Sequence, residues 1–337
     1  MAKRMLKIVA TVVVTIAASA VLLDYFAGVQ EDMSPPPLAS RSIEGGGTIG
    51  YRESHDGLRL SYRHWPASAP LRGAIALFHG GGGHSGQPTF SYFIDYFRKR
   101  GFAVFGLDQR GHGYSDGIRY HIESMETLRR DMFDFVDFVR SQPGHDSLPV
   151  IGVGQSMGGL FLLDFAIHHP DALEGAIVTA PGLDPHGIPQ AVQKATRFGN
   201  VVAPRWHFRI PALDYDGLTR DKAEIKRVAA DTLSKLVGTP RTIVNILDTI
   251  DRVNQRAGEL TTPLHMAHGE VDVFAAVEGT ERFFANVPEG DKELIVYPDA
   301  YHQLYLDIIK DEFFANVERW IDRRLGDDAA GSGDDID

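Results

Sequence analysis

The chain has 337 residues, 43% of them hydrophobic and 23% charged, which places it among ordinary globular proteins able to bury a large core rather than among disordered or fibrous chains. Its net charge of −11, from 45 acidic and 34 basic residues, with no basic stripe, argues against a nucleic-acid partner. The absence of cysteine excludes disulfides, thiolate catalysis and cysteine-ligated metals, and no His-X-X-X-His zinc pattern occurs among the 14 histidines, so neither a metal nor a cofactor is expected.

The N-terminus carries Lys3, Arg4 and Lys7 ahead of an uncharged, mostly apolar run from Ile8 to Leu23. That layout predicts a membrane anchor or a secretory signal over residues 1–30, with the bulk of the chain outside the cytoplasm. Ala18-Ser19-Ala20 offers a cleavage site, and Tyr25 and Phe26 offer interfacial anchors for an uncleaved helix. Residues 31–47, rich in proline and glycine and without periodicity, read as a linker.

The folded domain is expected from residue 48 to 325. Leu58 to Trp65 alternates like an antiparallel strand at a sheet edge, whereas Gly73 to Phe78 and Phe102 to Leu107 are continuous apolar runs like buried strands. Helical spacing of Leu128, Met132, Phe135, Val136 and Val139 follows, then a strand ending at Gln155 and another from Gly175 to Thr179, so strands and helices alternate as in a mostly parallel α/β sheet. From about 182 to 260 the alternation stops. AEIKRVAADTLSKLV and RTIVNILDTIDRVNQ read as helices of an inserted cap over the C-terminal edge of the sheet. Strands at Pro263 to Ala267 and Glu293 to Tyr297 and a closing helix with Phe313, Val317, Trp320 and Ile321 complete the domain, before an acidic tail over 326–337 expected to be disordered.

The chemistry concentrates in PVIGVGQSMGGL, Pro149 to Leu160. A strand breaking into Gly-X-Ser-X-Gly and then a helix is the nucleophile elbow: Gly154 and Gly158 permit the tight turn, and Ser156 projects above the sheet beside the N–H groups of the helix N-terminus. A serine hydroxyl needs a histidine base, a carboxylate to orient it and donors for the oxyanion. In this architecture the partners follow in the order Ser, Asp, His, which selects Asp272 in HGEVDVF, with Glu270 as competitor, and His302 in DAYHQLYL. Oxyanion donors are expected from Met157, which follows the serine, and from the loop His79 to His84, where Gly81 is the candidate. A glycine loop after a strand also suits phosphate, but no GxxxxGK[ST] is present. His168 and His169 read as solvated or capping.

Together HGGGGHSG from His79, LDQRGHGYSDG from Leu107, GQSMGG from Gly154 and HGEVD from His268 resemble the monoacylglycerol lipases and related lysophospholipases of the α/β-hydrolase superfamily, over roughly Gly73 to Leu325. The resemblance implies the α/β-hydrolase fold with a helical cap, Ser156 as nucleophile, Asp272 as acid, His302 as base, and Gly81 with Met157 as oxyanion donors. It departs from the family's habit at Gly83, where an acidic residue is usual, and at Gln303, where a carboxylate is often found. The expected activity is hydrolysis of a monoacylglycerol or lysophospholipid ester, with a general carboxylesterase, a peptidase or a perhydrolase of the same fold, or an inactive binding module, as rivals.

Overall fold

The computed structural model describes residue 38 and residues 42–184, 188–210 and 215–326. The predicted anchor or signal, most of the predicted linker and the acidic tail beyond 326 therefore lie outside the described residues. Among the described residues no helix is long and apolar enough to cross a membrane.

Eleven strands are described: β1 (Ser42–Ile43), β2 (Gly47–Glu53), β3 (Arg59–Trp65), β4 (Gly73–Phe78), β5 (Phe102–Leu107), β6 (Val150–Gln155), β7 (Gly175–Thr179), β8 (Phe208–Arg209), β9 (Val237–Gly238), β10 (Leu264–Gly269) and β11 (Lys292–Tyr297). Nine of them form one sheet in the order β1-β2-β3-β5-β4-β6-β7-β10-β11, antiparallel up to β3/β5 and parallel from there on. β8 and β9 pair separately.

The two sheet faces are legible in β4. Ala74, Ala76 and Phe78 join one apolar cluster, Ile75 and Leu77 the other, so alternate residues bury against different helix layers. Helices α1 (Ser91–Arg98) and α8 (Lys310–Leu325) cover the second face, the latter through Phe313, Val317, Trp320 and Ile321 as its spacing predicts. On the first face lie α2 (Met125–Arg140), started by the Ser124 side chain accepting the Thr127 N–H, and α3 (Met157–His168), buried all round as befits a helix without a polar face. The cap contributes α4 (Gln190–Val202), α5 (Lys222–Ala229) and α6 (Pro240–Gln255), and α7 (Val277–Asn286) follows β10.

Three expectations need correction. The predicted linker ends too late: the glycines after Ile43 make a tight turn, Gly45 and Gly46 having φ near +75°, which returns β2 against β1 and makes the sheet begin at Ser42. β3 is not an edge strand but sits between β2 and β5. Its polar inward residue Arg63 is buried because its guanidinium meets the Asp108 carboxylate at 2.5 Å. The segment AEIKRVAADTLSKLV is helical only to Ala229. Asp231 then accepts the Leu233 N–H, the Ser234 hydroxyl and the His84 ring N–H, and the chain runs on to β9 instead of continuing the helix.

Candidate active site

Ser156 sits at the turn from β6 to α3 with φ +55° and ψ −121°, a conformation that costs a non-glycine residue on the order of 1–3 kcal/mol. The surroundings hold it there. Its N–H donates to the Thr179 carbonyl at 2.9 Å, and its carbonyl accepts the Leu160 N–H at 3.0 Å. A Cβ at Gly154 would lie 2.5 Å from the Gly158 carbonyl oxygen, and one at Gly158 would lie 2.3 Å from that of Phe78. Both motif glycines are thus demanded by backbone packed on backbone.

The glycine loop after β4 lies against this turn. A Cβ on Gly80 would come within 3.3 Å of Ser156 Cβ, and one on Gly81 would touch Met157 Sδ at 3.6 Å, so Gly81 and Met157 are neighbours as predicted. Met157 opens α3, where the first N–H groups have no partner within the helix and the helix dipole is positive. Gly82, at φ +67°, accepts the Lys235 N–H from the cap at 2.9 Å. The loop is fixed beneath by His79, whose Nε2 accepts the Gln109 N–H at 3.1 Å. Burial, and the His112 ring beside it, push His79 down to about 3, and burial pushes His112 down to about 4, so both rings are neutral at pH 7.

Asp272 and His302 come from the loops after β10 and β11. The backbone lets these loops touch: a Cβ at Gly269 would lie 2.4 Å from the carbonyl oxygens of Ala300 and Tyr301. His302 Nδ1 donates to Asp272 Oδ2 at 2.7 Å, and Asp272 Oδ1 accepts the N–H groups of Phe274 at 2.7 Å and Ala275 at 3.0 Å. Burial works to raise the Asp272 carboxyl, but its electrostatic attraction to the His302 imidazolium form and the hydrogen bonds from His268 and His302 outweigh it and hold the group well below the carboxylate range. The competitor Glu270 is exposed, its carboxylate facing the Asp299 N–H at 3.4 Å.

With its Nδ1 proton directed at Asp272, the neutral His302 ring offers Nε2 as an acceptor, and the Gln155 amide donates to it at 3.2 Å. Ser156, Met157, Gly81 and His302 line one cavity of about 250 Å³. Its roof belongs to the cap and is mostly apolar, with Ile210, Val228, Leu236, Ile243 and Ile246 beside Ser234, Lys235 and Thr242, and Phe274 lines it as well. The structure therefore brings together every predicted site residue. His168 and His169 stay outside: Arg256 donates to the His168 ring at 2.7 Å, and His169 ends α3 with its N–H on the Phe165 carbonyl, the capping role expected of it. Reading motifs alone missed Gln155 and His268, although both lie inside GQSMGG and HGEVD.

A strained serine at a strand–helix turn, a glycine loop beside it, and a histidine–aspartate pair on later loops of a mostly parallel sheet define a serine hydrolase of the α/β-hydrolase fold. The family is narrower: a family model described as "Serine aminopeptidase, S33" matches residues 69–308, and the chain belongs to that family. It is 29% identical over 272 residues to the monoacylglycerol lipase of Mycolicibacterium smegmatis, covering 79% of this chain and 93% of that one. It is 26% identical over 274 residues to the human (Homo sapiens) monoglyceride lipase, covering 80% and 88%. A soluble variant of the Saccharomyces cerevisiae monoglyceride lipase, solved in complex with a substrate analogue, superposes with a TM-score of 0.75 at 25% identity, covering 86% of this chain and 99% of that one. The protein is a serine ester hydrolase.

Proposed function

We propose that the protein hydrolyses single-chain acyl esters, monoacylglycerol or lysophospholipid, through Ser156, His302 and Asp272. His302 takes the Ser156 proton as the hydroxyl oxygen attacks the ester carbonyl, and the oxyanion is met by the N–H groups of Gly81 and Met157. The alcohol leaves with the proton from His302, and water activated by the same base releases the acid from the acyl-enzyme. The observation that carries this reading is the 2.7 Å hydrogen bond from His302 to the buried Asp272 carboxylate, with His302 lining the same cavity as the strained Ser156.

An acyl chain rather than a peptide is favoured by the apolar cap wall, and the relatives named as monoacylglycerol or monoglyceride lipases support the same substrate class. No carboxylate that could hold an α-ammonium group stands among the described residues lining the cavity. Comparing kcat/KM on monoacylglycerol, lysophospholipid and aminoacyl-naphthylamide substrates tests the choice: the two lipid esters lead, and a preference for the amide overturns it. The basic and then apolar N-terminus supports action at a bilayer with the catalytic domain outside the cytoplasm. Cell fractionation with N-terminal sequencing tests that location, which a cytoplasmic protein retaining Met1 contradicts.

A further inference from the structure

One fully buried histidine touches the acid without taking part in the proton transfers described above. His268, on β10, has Nε2 3.1 Å from Asp272 Oδ2 and 2.9 Å from the Ala275 carbonyl oxygen, and Nδ1 2.8 Å from Thr280 Oγ1. Both neighbours of Nε2 are acceptors only, so this nitrogen carries a proton and donates to them. In the neutral ring the Thr280 hydroxyl donates to Nδ1, which fixes the tautomer from α7. Two imidazoles therefore share one carboxylate oxygen: Asp272 Oδ2 takes an N–H from His302 and another from His268, while Oδ1 takes two backbone N–H groups.

We propose that His268 is a positioning residue, which acts through Asp272 to set the plane and direction of the carboxylate that orients His302. The inference rests on the reading of Ser156, His302 and Asp272 as the catalytic set. Rotation of a carboxylate about its last torsion is soft and roughly two-fold. The two N–H groups on Oδ1 fix one end, and the His268 N–H fixes the other on the line to His302 Nδ1. Holding the base in the right orientation and tautomer is the acid's contribution to this chemistry, so loosening the acid appears in the chemical step and not in substrate binding. Thr280 extends the chain of support by one more hydrogen bond.

The test uses the full-length protein with His268→Leu, His268→Gln and Thr280→Val. His268→Leu lowers kcat on a soluble short-chain ester about ten- to hundredfold, the loss expected when a buried donor to a charged group is removed, with KM within about twofold. The rate of fluorophosphonate labelling at Ser156 falls by the same factor. His268→Gln places an amide N–H near the Nε2 position and restores most of kcat. Thr280→Val, which keeps the ring and frees its orientation, lowers kcat by a smaller factor at unchanged KM. The downfield proton resonance of His302 Nδ1–H moves in His268→Leu and returns in His268→Gln. A His268→Leu protein that turns over and labels at wild-type rate overturns the inference alone. So does a loss that follows only the melting temperature and is not restored by glutamine, and, should the leucine variant not fold, a Thr280→Val protein with unchanged kcat. A folded wild-type protein that takes no fluorophosphonate refutes the catalytic reading itself and this inference with it.

Discussion

The floor of the cavity, made by the ends of β4, β6, β10 and β11, is held mainly by backbone against backbone, whereas its roof, the cap, meets the floor by backbone at two points, the Lys235 N–H on the Gly82 carbonyl and the Gln303 N–H on the Leu218 carbonyl, and is further tied by side chains. On the floor, Gly154, Gly158 and Gly269 each face a carbonyl at 2.3–2.5 Å from where a Cβ would stand, and Ser156 keeps a left-handed φ. On the roof the side-chain ties are polar, Arg252 to Asp164 at 2.9 Å and Asp231 to His84 at 2.9 Å, and apolar Ile243 and Ile246 line the cavity. A floor fixed by backbone holds reacting groups to within fractions of an ångström, which chemistry requires. A roof of side chains shapes a pocket that substitutions can reshape without unfolding the domain. Under the proposed function this division gives catalysis to the floor and substrate choice to the roof.

The largest effect separates chemistry from stability on the floor. Ser156→Ala lowers kcat roughly 10⁴- to 10⁶-fold, as removal of a nucleophile does in serine hydrolases, while the melting temperature does not fall. Ser156→Gly, which relieves the strained φ, melts at least as high. Denaturant unfolding alongside ester turnover checks both.

Gly158→Ala next breaks the floor itself. Its methyl group would lie 2.3 and 2.5 Å from the carbonyl oxygens of Phe78 and His79, and the displaced helix costs about 3 kcal/mol together with most of the activity. A variant that melts like wild type removes the backbone argument.

Acid then loosens the floor. His79 and His112, held down to about 3 and about 4 by burial, stay neutral in the folded chain, while the unfolded chain protonates them near 6.5. The stability they contribute is complete above pH 6.5 and is lost progressively as the pH falls from 6.5 toward their folded values, by about 2 kcal/mol for each by pH 5. Urea unfolding between pH 7.5 and 5 measures the slope. His112→Gln flattens it, and an unchanged slope contradicts the assignment.

The smallest effect belongs to the roof. Ile243→Trp fills part of the cavity, lowers kcat/KM for long acyl esters about tenfold and leaves short esters and the melting temperature unchanged. Equal losses on all chain lengths would place Ile243 in the machinery of the floor.

This contrast also explains what was legible in the sequence. The elbow, Asp272 and His302 were readable because the floor needs glycine at fixed places in short motifs, and a short motif is a local signal. The end of α5 was not, since Asp231 stops the helix through His84, 147 positions away in the chain. β3 read as an edge because the partner that buries Arg63, Asp108, lies 45 residues off. His268 hid inside the apolar run of β10, where its ring meets Asp272 only after the following loop has folded back.

A fluorophosphonate reaction followed by intact-mass and peptide mapping on the folded protein tests most directly whether Ser156 is the activated nucleophile of this floor. One adduct on the peptide bearing Ser156 is expected in wild type, none in Ser156→Ala, and much slower formation in Asp272→Asn, which leaves the serine in place but disturbs the base. A folded wild-type protein that takes no adduct, or takes it on another residue, contradicts that role.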